Sequence, residues 1–280
     1  YLLWATKFKK KLKDYKFDVI FVYAPSPILQ AIPAIYLKKR FNAPLVLWVQ
    51  DLWPESIIAT GYIKNKLVVY LIKKIVKYIY KETDLILGQS KSFVEEINKY
   101  TSKSKTLFFP NCIKDFKSKN KLSLLPHQIR EIFSKDFKVV FTGNLGQAQS
   151  IPTILNVAEN LVQKKIRFIF VGNGSLFEWA KNYVEKKHLK NVFFINQLDF
   201  SLIPSIYELS DVLLLSLSKN DIFAKTIPSK LQSYLVSGKP LIASLDGEAS
   251  KIIKNAKCGL TSKAENTTAL KKNILKLKNT

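Results

Sequence analysis

A hydroxyl group and an ammonium group lie at the start of a predicted helix in the stretch KTIPSKLQSYLVSGKP, residues 225–240. Ser229 and Lys230 follow Pro228, and proline suits the first turn of a helix because its missing N–H would be unpaired there. The unpaired amides of a first helical turn, with a lysine beside them, bind anions. We therefore predict that Ser229 and Lys230 bind a diphosphate group.

Two glycine pairs follow predicted strands in the second half of the chain. Gly143 and Gly146 bracket a tight turn in TGNLGQAQS, and Gly172 and Gly174 repeat the pattern in VGNGS. Glycine at such turns lets backbone N–H groups come close to a phosphate. Ordinary turns between a strand and a helix explain each pair equally well when it is taken alone.

Carboxylates form the third group of candidates. Asp51 and Glu55 flank Trp53 in DLWPES, at the end of a predicted strand. An indole face stacks well on a sugar ring, and carboxylates accept hydroxyl protons. The alternative is a loop whose Trp53 belongs to the core and whose Asp51 begins a helix. In LDGE, Asp246 and Glu248 either meet sugar hydroxyls or precede a helix, and capping by Asp246 is the favoured interpretation.

Composition narrows the classes of function. The chain has 280 residues, of which 47% are hydrophobic, and this suffices for a large core. Its net charge of +24 favours anionic partners such as phosphorylated substrates, although lysine as the default surface residue explains the charge as well. There is no basic tail that would indicate nucleic-acid binding. The spacing of Cys112 and Cys258 fits no metal or redox site, so we expect a cytosolic, reducing compartment.

Predicted strands and helices alternate along the chain, which indicates an α/β fold with parallel sheets covered on both faces. A lysine-rich helix end over 6–16 precedes the first strand over 17–24, and the polar stretch 112–136 interrupts the alternation. We predict two Rossmann-like, doubly wound domains that face a cleft, where ligands bind at the carboxyl ends of the strands. The predicted first domain, linker and second domain cover residues 1–118, 119–136 and 137–280.

The helix predicted over 65–84 is both basic and apolar. Its lysines at positions 66, 73, 77 and 81 lie near one side, with Val, Leu, Ile and Tyr around them. Such a helix can lie on an anionic membrane surface. It is more often the outer layer of a domain, with a solvated lysine face.

Six segments between residues 48 and 260 resemble, in order, those of the glycosyltransferases of family 4. They are WVQDLWPES, FFPN, FTGNLGQAQ, VGNGS, IFAKTIPSKLQSYLVSGKPLIASLDGE and KCGL. That resemblance implies the GT-B fold and sugar transfer with retention of the anomeric configuration. DLWPES and TIPSK are similar, more narrowly, to the L-fucosamine transferases of O-antigen and capsule assembly.

The resemblance implies a nucleotide-sugar donor, expected to be UDP-linked. Gly143, Asn144 and Gly146 would face its diphosphate, and Ser229 and Lys230 would add a hydroxyl group and charge. No metal or other cofactor is implied, because lysine and helix N-termini neutralise the leaving diphosphate. The implied acceptor is a lipid-linked glycan at the inner face of the cell membrane.

Other candidates would contact the remaining parts of the substrates. Gly172 and Gly174, with the backbone near residues 196–198, would lie by the nucleoside. Asp51 and Glu55 would face the acceptor or the reacting sugar.

This chain departs from the broader family at several positions, one of them near Gln50, where the family often has a histidine. Members often have two glutamates where this chain has Lys225 and Ser233, so the usual ribose-binding carboxylate is missing. Asp246 and Glu248 remain as donor-binding candidates. The departures favour an alternative, a non-catalytic GT-B-like binding protein, whereas a GT-B epimerase is disfavoured because suitably placed carboxylate–histidine pairs are lacking.

The start of the sequence bears on completeness. The chain begins at Tyr1 and contains no methionine, and the N-terminal glycine-rich loop of the family is not found. We therefore expect an N-terminally truncated chain, an incomplete first domain and an inactive fragment.

Overall fold

A computed structural model describes residues 15–59, 61, 63–113 and 122–280. The chain forms two compact units. The first unit comprises Tyr1–Asn111 with Lys225–Ile227, and the second comprises Cys112–Ala224 with Pro228–Thr280.

The first unit contains a parallel four-stranded sheet in the order β1-β2-β3-β4 within its described residues. Each strand is rich in Val, Ile, Leu or aromatic residues, as buried parallel strands are. The strands are β1 Ile20–Ala24, β2 Leu45–Val49, β3 Leu85–Gly88 and β4 Thr106–Phe108.

Helices cover one face of this sheet. The helices are α1 Ala31–Phe41, α2 Glu55–Ala59, α3 Lys66–Glu82 and α4 Lys91–Ile97. Leu47 of β2, Ile79 of α3 and Phe93 of α4 are fully buried in their shared core. On the other face, Phe21 and Tyr23 of β1 are about half exposed. Within the described residues, α1, α3 and α4 all pack on the face of Leu47.

The second unit contains a parallel six-stranded sheet in the order β10-β9-β8-β5-β6-β7 within its described residues. Both β6 and β8 pair with β5, so the chain reverses its direction of winding beside that strand. Ligands of such sheets bind at this point, outside the carboxyl ends of the strands. The strands are β5 Phe137–Thr142, β6 Ile166–Val171, β7 Val192–Ile195, β8 Val212–Ser216, β9 Leu241–Ser244 and β10 Gly259–Ser262.

The helices of the second unit alternate with these strands. Phe141, Phe168 and Ile154 belong to one buried core between them. The helices are α5 His127–Ile132, α6 Ile151–Glu159, α7 Phe177–Lys186, α8 Ile203–Leu209, α9 Asp221–Lys225, α10 Ser229–Val236, α11 Glu248–Asn255 and α12 Thr267–Lys278.

The alternation of strands and helices confirms the predicted α/β fold with two Rossmann-like sheets. Sequence patterns did not predict β10 or α12. Pro228 precedes α10 as its N-cap, in an extended conformation, and so lies just before the first turn. The predicted linker contains helix α5. Residues 114–121, at the predicted domain boundary, lie outside the described residues. Residues 6–14 of the first predicted helix lie outside them as well.

Among the described residues, every helix is either too short or too polar to cross a lipid bilayer.

Candidate functional site

Two loops at the carboxyl ends of β5 and β6 pack backbone against backbone. A Cβ atom on Gly172 would lie 2.2 Å from the carbonyl oxygen of Gly143, and one on Gly174 would lie 2.4 Å from that of Leu145. Both positions also have φ angles, 141° and 159°, that L-residues rarely adopt. Glycine is therefore required at Gly172 and Gly174 for the two loops to meet.

The N–H groups of the four glycines in these loops already have hydrogen-bond acceptors. The N–H of Gly143 donates to the Val171 carbonyl at 2.8 Å, and that of Gly172 to the Ile195 carbonyl at 2.9 Å. The N–H of Gly146 donates to Gln149 Oε1 at 3.1 Å, and that of Gly174 to the Asn173 side chain. The N–H groups of Gly143 and Gly146 therefore have acceptors within the protein, and that Gly143, Asn144 and Gly146 face the diphosphate stays a prediction. The glycines of the second loop, Gly172 and Gly174, allow the two loops to approach each other closely.

A cavity of about 560 Å³ opens beside these loops. Its volume suits a nucleoside, since ligand pockets usually measure roughly 300–1,000 Å³. The lining mixes backbone, polar amide and apolar side chains: Gly143, Asn144, Val171, Gly172, Asn173, Gly174, Gln197, Leu198, Phe200 and Ile203. The structure thus brings four predicted donor-binding residues into one cavity, together with the segment after β7.

Lys230 lies next to the first of these loops. Its Nζ atom is shielded from solvent and has no hydrogen-bond partner among the described residues. The atom lies 3.7 Å from the centroid of the Phe141 ring, and it would be 3.5 Å from a Cβ atom on Gly143. Burial lowers the pKa of Lys230 to about 7. An unpaired, desolvated amine beside the cavity is a strong site for a multiply charged anion.

Tyr234 anchors the helix that carries Lys230 to the end of β5. The two residues are four apart on α10 and therefore share a face of the helix. The Tyr234 hydroxyl accepts a hydrogen bond from the Thr142 backbone N–H at 2.9 Å, at the last residue of β5. The Tyr207 ring packs edge-on against the Tyr234 ring, with the centroids 5.5 Å apart. The K-x-x-x-Y spacing was the available sequence signal for Tyr234, which sequence reasoning missed.

The remaining donor-site candidates of the second unit follow other strands. Ser229 is the exposed first residue of α10, where helix geometry leaves its N–H without an intrahelical partner. Asp246 and Glu248 follow β9, which is separated from β5 by β8 in the sheet. Helix α11 has Gly247, with φ 73°, as its N-cap and no side-chain cap. The expectation that Asp246 caps this helix is therefore wrong.

Asp51 and Glu55 belong to the first unit, where both are held by aromatic residues. Asp51 Oδ2 accepts a hydrogen bond from the Trp53 indole N–H at 3.1 Å. Trp53 is partly buried and packs against the core of the first unit. The alternative prediction, that Trp53 is a core residue, is therefore correct only in part. Glu55 begins α2, and its Oε1 accepts a hydrogen bond from the Tyr100 hydroxyl at 3.0 Å.

Two tyrosines complete this acidic cluster and were not predicted. Burial, and then the Glu55 carboxylate, raise the pKa of Tyr100 to about 12. Tyr80 is fully buried beside it, with ring centroids 6.1 Å apart. Burial, followed by Glu55, Tyr100 and Asp51, raises the pKa of Tyr80 as well. Both hydroxyls therefore stay protonated at neutral pH, and Tyr100 fixes the orientation of the Glu55 carboxylate.

Lys225 occupies a position where members of the resembled family often have glutamate, and it pairs with an acidic residue of its own unit, the first. Its Nζ lies 2.5 Å from Glu96 Oε1, and its carbonyl oxygen accepts a hydrogen bond from Ser90 at 2.7 Å. Burial opposes the charge of Glu96, but hydrogen bonds from Lys225 and Lys99 outweigh it and lower the pKa of Glu96. The lysine is therefore part of a structural ion pair.

The sequence profile described as "Glycosyl transferases group 1" matches residues 126–280, which is more than half of the chain. The chain belongs to this family. The match covers both glycine loops, the cavity and Lys230.

Individual relatives agree with this family assignment. "Probable glycosyltransferase WbjE" of Pseudomonas aeruginosa is 22% identical over 254 residues, covering 88% of this chain and 62% of the relative. "Putative colanic acid biosynthesis glycosyl transferase WcaI" of Escherichia coli is 21% identical, covering 77% and 56%. The chain thus spans about three-fifths of the length of these relatives.

The fold has solved counterparts as well. The Anabaena protein Alr3699/HepE, crystallised with UDP and glucose, superposes with a TM-score of 0.74 at 14% identity, covering 97% of this chain and 70% of that one. The likeness confirms the GT-B type of α/β fold for this chain. Among the described residues, there is no group of three or more His, Cys, Asp or Glu side chains that could hold a metal ion.

Proposed function

We propose that this glycosyltransferase moves a hexosyl or N-acetylhexosaminyl group, with retention, from a UDP-linked donor to a lipid-linked glycan. The reaction belongs to the assembly of a cell-surface polysaccharide such as O-antigen or capsule, at the cytoplasmic face of the membrane. The narrower similarity of DLWPES and TIPSK to L-fucosamine transferases supports this class of product, as does the colanic acid assignment in the name of one relative.

The observation that carries the proposal is the position of Lys230 beside the cavity. When the nucleoside lies in the cavity of about 560 Å³, its diphosphate lies near Gly143. The diphosphate is anionic, so the protein must supply positive charge at that point. The buried Nζ of Lys230 supplies that charge next to Gly143. The N-terminal amides of α10 add partial positive charge. Together they stabilise the negative charge that develops on the leaving UDP.

Calorimetric titration with UDP tests the donor site. We expect one UDP to bind per chain, with displacement by a UDP-sugar, and no heat from UMP at the same concentrations because UMP lacks the second phosphate. Equal affinity for UDP and UMP would contradict a diphosphate site. A donor-hydrolysis or transfer assay then separates an enzyme from the non-catalytic binding protein that Lys225 and Ser233 favour, since only the enzyme consumes the donor.

The acidic cluster of the first unit predicts a second result. In the protein at its natural length, Glu55→Gln keeps an oxygen that accepts the Tyr100 hydrogen bond but removes the charge. We expect kcat to fall by roughly 10²–10⁴-fold, the usual contribution of a general base. UDP affinity should not change, because the cavity lies in the second unit.

Glu95→Gln is the matched control, since Glu95 is an exposed residue of α4. Its kcat should equal that of the unmodified protein. A kcat for Glu55→Gln within about threefold of that control would remove Glu55 from the catalytic candidates, since a general base contributes far more.

A further inference from the structure

Helix α3 has a second apolar face besides the one that it buries. Val76 and Ile79 pack into the core of the first unit. Leu67, Leu71 and Tyr78 lie on another side and are 66%, 51% and 45% exposed. Their spacing of four and seven residues places them along one face of the helix. These three side chains extend over about three turns of the helix and present apolar surface to solvent, with Lys74 between Leu71 and Tyr78.

Lysines border this apolar surface. The acidic residue of α3, Glu82, is held by Lys39 at 2.9 Å and adds no unpaired negative charge. Within the described chain, no ion pair engages the lysines of α3. These lysines are Lys66, Lys73, Lys74, Lys77 and Lys81.

The apolar surface belongs to a well-defined helix. Asn65 caps its start, since Asn65 Oδ1 accepts hydrogen bonds from the N–H groups of Leu67 at 2.9 Å and Val68 at 3.3 Å. The C-terminal half is fixed by the core. The 17 residues of α3 therefore form a rod of about 25 Å, at 1.5 Å per residue, that presents its apolar and basic faces together.

We propose that this face of α3 lies on the surface of an anionic lipid bilayer. Leu67, Leu71 and Tyr78 enter the boundary between headgroups and acyl chains, and the bordering lysines contact the negatively charged headgroups. A bilayer of this kind satisfies both properties of the face at once. A second copy does not, because its own lysines and its net charge of +24 would repel the first. The inference rests on the proposed function only for the choice of the cytoplasmic leaflet.

Vesicle co-sedimentation tests this surface. The chain is mixed with vesicles of phosphatidylglycerol and phosphatidylethanolamine, or of phosphatidylcholine alone. We expect binding to the anionic vesicles only, weakened by 0.5 M salt because charges at the surface are screened. Leu67→Asp/Leu71→Asp should weaken binding at least tenfold, and Lys73→Gln/Lys77→Gln severalfold.

Matched variants make the result specific to α3. Leu124→Asp changes a leucine that is 62% exposed in the second unit, and Lys254→Gln/Lys272→Gln removes two exposed lysines there. Both should bind vesicles as the unmodified chain does. Circular dichroism and thermal melting of every variant verify folding, and UDP titration is expected to give one common affinity.

Two outcomes would overturn the proposal. One is a chain that binds UDP but not the anionic vesicles, and the other is vesicle binding that the α3 and control variants lose equally. Failure of UDP binding with intact, α3-dependent vesicle binding would instead contradict the donor site and leave this surface in place.

Discussion

Replacing Lys230 by methionine is expected to abolish glycosyl transfer and to weaken UDP binding at least 100-fold, while it stabilises the fold. Methionine fills the space over the Phe141 ring without a charge. The loss of binding follows because a charge-assisted contact to the diphosphate disappears from a desolvated site. The gain in stability follows because an unpaired buried ammonium is costly, on the order of 1–3 kcal/mol.

The stability gain of Lys230→Met should depend on pH in a definite direction. Burial lowers the pKa of Lys230 to about 7 from an ordinary value of 10.5. Between these values the unfolded chain holds the proton more tightly than the folded one, so the free energy of unfolding rises with pH. The variant lacks this contribution. Its advantage in melting temperature should therefore be largest near pH 7 and shrink towards pH 10.

Lys272→Met is the matched control, because Lys272 is an exposed lysine of α12. We expect its UDP affinity and melting temperature to equal those of the unmodified protein. If Lys230→Met bound UDP as tightly as this control, the assignment of Lys230 to the diphosphate would be wrong. If the variant were less stable, the side chain would have a partner that its geometry does not show.

Replacing Gly172 by alanine is expected to remove the cavity. The added Cβ would lie 2.2 Å from the Gly143 carbonyl oxygen and 2.9 Å from its carbon, so a backbone segment must move. We expect the free energy of unfolding to fall by about 3 kcal/mol or more, as for severe overpacking. UDP binding should be undetectable, because Gly143 and Asn144 line the cavity and belong to the displaced loop.

Gly238→Ala separates this clash from the effect of φ alone. Gly238 has φ 69°, but a Cβ atom there meets nothing within 4 Å. The expected cost is about 1 kcal/mol, the penalty of an L-residue in the left-handed region, with UDP binding retained. Chemical denaturation and UDP titration of both variants make the comparison. Equal effects of the two substitutions would contradict the close approach of the loops.

The positions of the glycine loops could be predicted, but their hydrogen bonds could not. Gly143 and Gly172 follow runs of β-branched and aromatic residues that identify β5 and β6. Their N–H groups are taken by the Val171 and Ile195 carbonyls, which belong to neighbouring strands and depend on strand order. A local sequence pattern contains no information on that order.

The same limit applies to the side chains of the candidate site. Lys230 was predicted as a cation at a helix start, and its burial depends on β5, which is almost 90 positions earlier in the chain. Glu55 was predicted from its loop, and its partner Tyr100 is 45 positions away. Residue types and local spacing indicated which groups take part. Long-range packing determined which of them are paired, which are desolvated and which way they point.

Proton uptake on UDP binding tests the central claim, that the buried amine of Lys230 holds the diphosphate, most directly. At pH 8 an amine with a pKa of about 7 is mostly neutral, and a diphosphate beside it restores the charge. Calorimetry in two buffers that differ in ionisation enthalpy should therefore report uptake of most of one proton per UDP bound. Binding heats that do not depend on the buffer would contradict the claim.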